Sequence, residues 1–461
     1  MIWKIWAVFL MFIIMFPTAV CAFIPINAPS AVLIDEATGT VLFGHNENAR
    51  MYPAGLTKML TAIVALDFLD PDEVVVVGTE IYNVPAGALR SGHQTGEHIT
   101  VHNLLRGLMV QNGNDSAAVL AMQSAQRERN NTNIPYSGAM QIFSGLMNHR
   151  ARELGARGTR FANPGGLHHD EHYTTAYDLA IIARAYMAVP ILREIALETE
   201  FTGNSLSGYV GDINNFYGVR TIDHHWINTN ELLSGGAFHY HYATGIRSGS
   251  TPQASDNIAA SAERRGVRLI AVVLGSEDPG RWQDARMLFD YGFATYEYYT
   301  IVENGQHAET VVVSNAKLSG TSILDVHIYG NFTALMSQSQ VSRLERLLIF
   351  DNERIAYEDG EYEYDDIRLM APVEENETLG SIVYILDGEV IFEGELRASA
   401  AIEERTLDSD MDFYIALIRD NIFSLRALPY WMGGTGLLVG IAGITLAIME
   451  RRRNRTWFGR R

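Results

Sequence analysis

"MYPAGLTKMLTAIVALDFL" (residues 51–69) reads as the start of a buried helix with a lysine, Lys58, near its first turn. A lysine so placed can deprotonate a hydroxyl three residues earlier, because positions i and i+3 of a helix share a face. The residue three before Lys58 is Gly55, which has no side chain at all. The segment has the form of a helix start that presents a nucleophile, without the nucleophile.

Around this helix the pattern alternates between strand and helix signals. Before it, "AVLIDEATGTVLFGHNENAR" (31–50) places two short apolar runs about an "ATG" turn, which predicts an antiparallel hairpin. After it, "VHNLLRGLMVQNGNDSAAVLAMQSA" (101–125) predicts two helices joined or capped at the "NGND" tetrad. "YTTAYDLAIIARAYM" (173–187) is a further amphipathic helix, with Thr174 or Thr175 available as its cap. "VRLIAVVLGS" (267–276) is an apolar run of strand length and predicts a central strand; "ARMLFDYGFATYEYY" reads as a closing helix. Strands at both ends with helices between predict an α/β domain on an antiparallel sheet. No G-x-G-x-x-G and no P-loop occurs, so no nucleotide cofactor is expected. Beyond about residue 300, short alternating runs with Gly and Asp turns ("ETVVVSNAKLSG", "SILDVHIYG", "GSIVYILDGEVIFEGELRA") predict a small all-β domain.

A chain of 461 residues exceeds one ordinary domain, and 47% hydrophobic content suffices for full cores. A formal charge of −19 excludes nucleic acid as partner, since phosphate binding needs clustered cations. The acid-rich "YEDGEYEYDD" (357–366) reads as a solvated face. Lysine occurs only at Lys4, Lys58 and Lys317, in a background of arginine.

Residues 1–22 read as a signal peptide cut after Ala22, or as a first membrane anchor. The single cysteine, Cys21, would leave with it, so neither disulfides nor thiolate chemistry is expected. Leu428 to Met449 carries no charge and is long enough to span a bilayer, at about 1.5 Å per residue. The arginines of "MERRRNRTWFGRR" behind it predict a cytoplasmic tail and an extracellular main chain. "MDFYIALIRDNIFSLRALPYW" (411–431) is an amphipathic approach to the membrane, with Tyr430 and Trp431 as interfacial anchors.

"YPAGLTKMLTA", "MVQNGNDSA", "TRFANPGGLHHDEHYTTAYDLAIIARA", "GIRSGSTPQA" and "ERRGVRLIAVVLGS", in this order over residues 28–300, resemble the D-alanyl-D-alanine carboxypeptidases, the low-molecular-mass penicillin-binding proteins of bacterial walls. The resemblance implies a penicillin-binding, serine β-lactamase-like domain, an antiparallel sheet flanked by helices with a helical subdomain. It implies the layout 1–22 signal peptide, 23–298 carboxypeptidase-like domain, 299–408 β-rich domain, 409–427 amphipathic segment, 428–449 transmembrane helix and 450–461 basic tail. By position, Gly55 stands where the family's acylated serine would be, and Lys58 matches the general base. Asn112 replaces the serine of S-x-N, while Asn114 matches its asparagine. Arg247, Ser248 and Gly249 take the places of K-T-G, with Thr251 the threonine after it; these are the expected substrate-binding residues.

The departures weigh unequally. Glycine cannot be acylated, and Thr57, two residues on, points to another face. Asn112 loses a hydroxyl but keeps a donor and an acceptor. Ser248 keeps the hydroxyl, and Arg247 keeps the charge with a fork suited to a carboxylate. The family reaction removes the terminal D-alanine of peptidoglycan stem peptides through an acyl-serine. This chain is expected to be a catalytically degenerate homologue that binds stem peptides ending in D-alanyl-D-alanine, or partner proteins, with weak β-lactam binding. Drift of an unused site, and an active carboxypeptidase with an unrecognised nucleophile, are the alternatives.

A literal S-x-x-K at Ser314–Lys317 follows a β run and reads as chance. Histidines cluster at His168, His169 and His172 beside Asp170 and Glu171, and at His239 and His241, but no H-E-x-x-H occurs, so no metal is expected. "ANPGGLH" reads as a loop fixing the site wall.

Overall fold

The computed structural model describes residues 24–207, 220–355, 368–422 and 443–449. The chain divides into two compact units, Met1–Tyr296 and Glu297–Arg461.

The first unit opens with the expected hairpin, β1 (Ser30–Asp35) and β2 (Val41–His45). It turns at Gly39, whose φ of 81° is a conformation that costs glycine little. A 3-10 turn, Ala54–Thr57, leads into α1 (Lys58–Leu66). Then follow β3 (Val74–Val76), β4 (Glu97–Thr100), α2 (Val101–Met109), α3 (Asn114–Arg129), α4 (Tyr136–Glu153), α5 (Ala176–Ala188) and α6 (Pro190–Leu197). The unit continues with β5 (Glu200–Ser207), β6 (Arg220–Ile227), β7 (Ala243–Thr251), β8 (Ser255–Arg264), β9 (Val267–Ser276) and α7 (Gly280–Thr295). Of the two threonines offered as cap to α5, Thr175 takes the role, its side chain accepting from Asp178 N at 3.0 Å. Such a cap contributes about 1 kcal/mol.

The main sheet runs β2-β1-β9-β8-β7 and is antiparallel throughout, as expected. Its central strand, β9, is a continuous apolar run because both faces are covered. Val32, Ile34, Ala259, Ile270 and Val272 share one core with residues of α1, α3 and α5. Leu33 and Leu269 alternate to the other face and reach α7 at Gly292, where an added Cβ would lie 2.5 Å from Leu269 Cδ1. Only a residue without a Cβ lets that helix lie so close. The penicillin-binding, serine β-lactamase-like arrangement of helices and sheet is thus present.

A second sheet, β3-β4-β5-β6, was not foreseen from the sequence. Its strand β6 alternates cleanly, with Ile222, His224 and Trp226 buried and their neighbours exposed.

The second unit is built on a six-stranded sheet and a two-stranded one. Its core gathers Val311, Val326, Leu369, Ile382 and Leu396, and a helix spans Leu407–Ile422. Ser314 ends a strand here, and Lys317 Nζ donates to Glu403 Oε2 at 2.6 Å, so the literal S-x-x-K is a surface ion pair.

The expected signal peptide, the acidic 357–366 stretch, Tyr430, Trp431 and the basic tail lie outside the described residues. So does most of the expected membrane span 428–449, of which 443–449 are helical. Among the described residues no helix is long and apolar enough to cross a membrane.

Candidate active site

The 3-10 turn Ala54–Thr57 sets the geometry at the head of α1. Three residues per turn eclipse i and i+3, and Lys58 N–H closes the turn on Gly55 O. Gly55 and Lys58 therefore stack on one side. A Cβ built at Gly55 would lie 3.1 Å from Asn112 Oδ1 and 3.3 Å from Gly249 Cα. The three sequence motifs thus meet at one point, with Gly55 between the other two.

Lys58 is buried. Its Nζ donates to Gly165 O at 2.6 Å and to Asn114 Oδ1 at 3.1 Å. Burial, and next the Arg247 charge, hold its pKa well below the ordinary lysine value, against a smaller pull from Asp115. Asn114, first residue of α3, is locked by Nδ2 donating to Leu89 O at 2.9 Å. Gly165 must be glycine, because a Cβ there would collide with Asn114 Oδ1. Sequence reading identified "ANPGG" as a wall loop and missed that its carbonyl at Gly165 holds the lysine.

Asn112 sits between α2 and α3 at φ 67°, a left-handed conformation that asparagine tolerates. Its Oδ1 is buried and has no hydrogen-bond partner among the described residues.

On β7, alternation directs Arg247, Gly249 and Thr251 to the face that α1 covers, and Ser248 to the opposite one. Gly249 makes the closest approach: a Cβ there would lie 2.5 Å from Gly55 N. Arg247 is fully buried, with Nη1 donating to Met109 O. Its Nε and Nη2 have no hydrogen-bond partner among the described residues. Burial pushes its pKa down to about 9. Ser248 Oγ donates to Thr229 O at 3.1 Å, and Thr251 Oγ1 accepts from Ala254 N at 3.1 Å in the β7–β8 turn. Both hydroxyls serve the wall.

Thr57 offers no substitute nucleophile. Its hydroxyl is buried and donates to Ala54 O at 2.8 Å. His172 Nε2 lies 2.9 Å from Thr57 Oγ1, while His172 Nδ1 receives Ala162 N–H at 3.3 Å. Nε2 must then carry the proton and donate to Thr57, so the ring cannot act as its base. Burial first, then the charges of His169, His168 and Lys58, press the His172 pKa down to about 3. His168 Nε2 faces Asp170 Oδ1 at 3.6 Å, and among the described residues the loop histidines form no metal-type cluster with His172.

A small pocket opens beside the lysine's partners, lined by Asn114, Gly165, Asn163, Tyr136, Met140 and Leu167.

The profile of the family described as D-alanyl-D-alanine carboxypeptidase matches residues 18–278. The chain is 28% identical over 377 residues to the D-alanyl-D-alanine carboxypeptidase DacF of Bacillus subtilis (strain 168), covering 81% of this chain and 85% of that protein. It is 27% identical over 404 residues to DacC of Escherichia coli (strain K12), covering 84% and 88%. Among solved structures, penicillin binding protein 5 from Haemophilus influenzae superposes with a TM-score of 0.56 at 25% identity, over 82% of this chain and 98% of that one. The Streptomyces K15 DD-transpeptidase does so with a TM-score of 0.51 at 30% identity, over 58% and 98%. The motif order, the wall geometry around Lys58 and these likenesses agree: the chain belongs to the D-alanyl-D-alanine carboxypeptidase family.

Proposed function

We propose that this chain recognises peptidoglycan stem peptides ending in D-alanyl-D-alanine without cleaving them through an acyl-enzyme. The observation that carries the reading is the contrast at the head of α1. Lys58 keeps its partners and a lowered pKa, whereas Gly55 offers it nothing to deprotonate.

Two unsatisfied groups support ligand binding. Asn112 Oδ1 is a buried acceptor that a peptide N–H would satisfy, and Arg247 Nε and Nη2 are buried donors that a C-terminal carboxylate would satisfy. Leaving such groups unmade costs about 1 to 3 kcal/mol each, more where charged, so a ligand that completes them gains correspondingly. β-Lactams, which imitate the same peptide end, would bind weakly and reversibly. In this reading the chain is delivered by its N-terminal signal and held by its C-terminal apolar segment at the outer face of the cell membrane.

Equilibrium binding of a peptide ending in D-alanyl-D-alanine, by titration calorimetry on wild type and Arg247→Ala, tests the proposal. Expected is saturable binding that weakens roughly 30-fold or more in the variant, as for loss of a desolvated charge partner. Unchanged affinity would remove Arg247 from the account, and no binding by folded wild type would favour drift. Turnover of the peptide would instead support the active-enzyme reading.

A further inference from the structure

Far from Gly55 in sequence, the second sheet brings together three side chains that no motif connects. His93 lies in the loop before β4, Glu97 opens β4, and His224 lies on the buried face of β6. His93 Nδ1 is 3.1 Å, and His224 Nε2 is 2.9 Å, from the same oxygen, Glu97 Oε1. The three ligand-type atoms lie within 4.8 Å of one another, and the side chains are 0%, 0% and 3% exposed.

The protons of this cluster can be traced. Ser91 Oγ donates to Gly107 O at 2.9 Å, and a carbonyl can only accept. With its single proton used, Ser91 Oγ must accept from Ser116 Oγ at 2.8 Å. With its proton used in turn, Ser116 Oγ must accept from His93 Nε2 at 2.9 Å. Nε2 therefore bears a proton, and Nδ1 is the ring atom that faces the Glu97 carboxylate, open to a second proton or to a metal ion. A carboxylate buried against that nitrogen calls for a positive charge between them, and the cluster of three ligand-type atoms offers that place to a metal ion as well as to a proton.

We propose that His93 Nδ1, Glu97 Oε1 and His224 Nε2 bind a divalent transition-metal cation of the zinc class. Two imidazoles and a carboxylate suit such an ion, and bonds of about 2.0–2.2 Å in tetrahedral geometry set ligand atoms roughly 3.3 Å apart. The two separations from Glu97 Oε1 need open by a few tenths of an ångström, and the His93 Nδ1–His224 Nε2 separation, within 4.8 Å, must come to the same value. Ser205 Oγ donates to Glu97 Oε1 at 2.8 Å and lies 3.1 Å from His224 Nε2, beside the ligand atoms. Outside the ligands, Ser116 takes the His93 Nε2–H, and Gln94 N donates to Glu97 Oε2 at 2.8 Å. Such supports hold metal ligands in orientation.

Enclosed on all sides, the ion is a clip between segments of chain and not a catalyst. It ties the 91–97 loop to β6 and, through Ser116, to α3, whose first residue is the lysine's partner Asn114. The sequence-adjacent histidine clusters at 168–172 and 239–241 take no part.

The test uses the full chain in detergent, stripped with a chelator and titrated with zinc alone and with cobalt alone. Expected are one equivalent of zinc, a Tm rise of roughly 5 °C or more at hundredfold excess over Kd, and a tetrahedral cobalt absorption band. His224→Ala and Glu97→Gln, checked for folding by circular dichroism, should weaken binding roughly hundredfold. If either fails to fold, anomalous scattering at the zinc edge from wild-type crystals decides: density at the cluster supports the proposal, and density only elsewhere overturns it. Absence of zinc binding by folded wild type, as a doubly protonated His93 paired with Glu97 would give, overturns it as well, as does equal binding by the folded variants.

Discussion

Replacing Gly55 by serine is the perturbation whose consequences the structure specifies most fully. Gly55 is not among the residues at positive φ, so its backbone accepts an L side chain. The new Cβ would meet Asn112 Oδ1 at 3.1 Å and Gly249 Cα at 3.3 Å, so both neighbours must yield by a few tenths of an ångström. Such overpacking costs about 1 to 3 kcal/mol. Against it, loss of a glycine from the unfolded chain contributes about 0.4–1 kcal/mol. A serine O–H donated to the orphaned Asn112 Oδ1 contributes about 1 kcal/mol more. The net change lies within about 2 kcal/mol of wild type, a Tm shift of several degrees at most, so the variant folds. Chemically, loss of a serine nucleophile costs serine hydrolases up to about 10⁶-fold, and its return beside Lys58 should raise penicillin acylation at least about 100-fold over wild type. The assay compares wild type, Gly55→Ala and Gly55→Ser with a fluorescent penicillin on a denaturing gel. The alanine variant brings the same Cβ without the hydroxyl and should stay unlabelled. Labelling of Gly55→Ala to the same extent, or a folded but silent Gly55→Ser, would refute the reasoning: the first because the hydroxyl is then not the nucleophile, the second because the remaining groups no longer support acylation.

Three further outcomes follow from the same geometry. In the Gly55→Ser background, Lys58→Met should abolish labelling and Lys58→Arg should not restore it, since a guanidinium does not surrender its proton near neutrality; labelling rates read this directly. Gly249→Ala puts a Cβ 2.5 Å from Gly55 N, backbone that cannot rotate away, and should cost about 3 kcal/mol in urea unfolding; a neutral result would mean that β7 does not pack on the turn as described. His172 has a folded pKa of about 3 against an ordinary 6.5, so the unfolded chain binds the extra proton first. Its contribution is fully present above pH 6.5 and is lost as pH falls toward 3, by up to about 1.4 kcal/mol per unit. His172→Gln should flatten that part of the stability profile, and an unaltered slope would show the ring to be solvated.

How far the sequence reveals this site depends on what holds each part. The hairpin, the α1 start and the central strand were legible because periodicity and turn residues encode them locally. Lys58 and Asn114 were legible as motif members, and they do meet. The acceptor at Gly165 was not, because any residue has a carbonyl and only the fold aims this one. The orientations on β7 were also out of reach: alternation sends Ser248 away from Arg247, and the burial of Arg247 against Met109 O depends on a neighbouring helix. Histidines adjacent in sequence proved a poor guide to proximity. His168, His169 and His172 share one loop without forming a ligand cluster among the described residues, whereas His93 and His224 meet on Glu97 through strand pairing across β4, β5 and β6. The isolated signal available for that cluster was the alternation of "RTIDHHWI", which marks His224 as inward.

The central claim, a family site that has lost acylation and kept recognition, is tested most directly by the intact mass of the wild-type chain after incubation with penicillin, run beside its equilibrium binding of a D-alanyl-D-alanine peptide. The account predicts an unchanged mass together with reversible, saturable peptide binding. A mass increase equal to one penicillin, located by peptide mapping to any hydroxyl of the first unit, would contradict it.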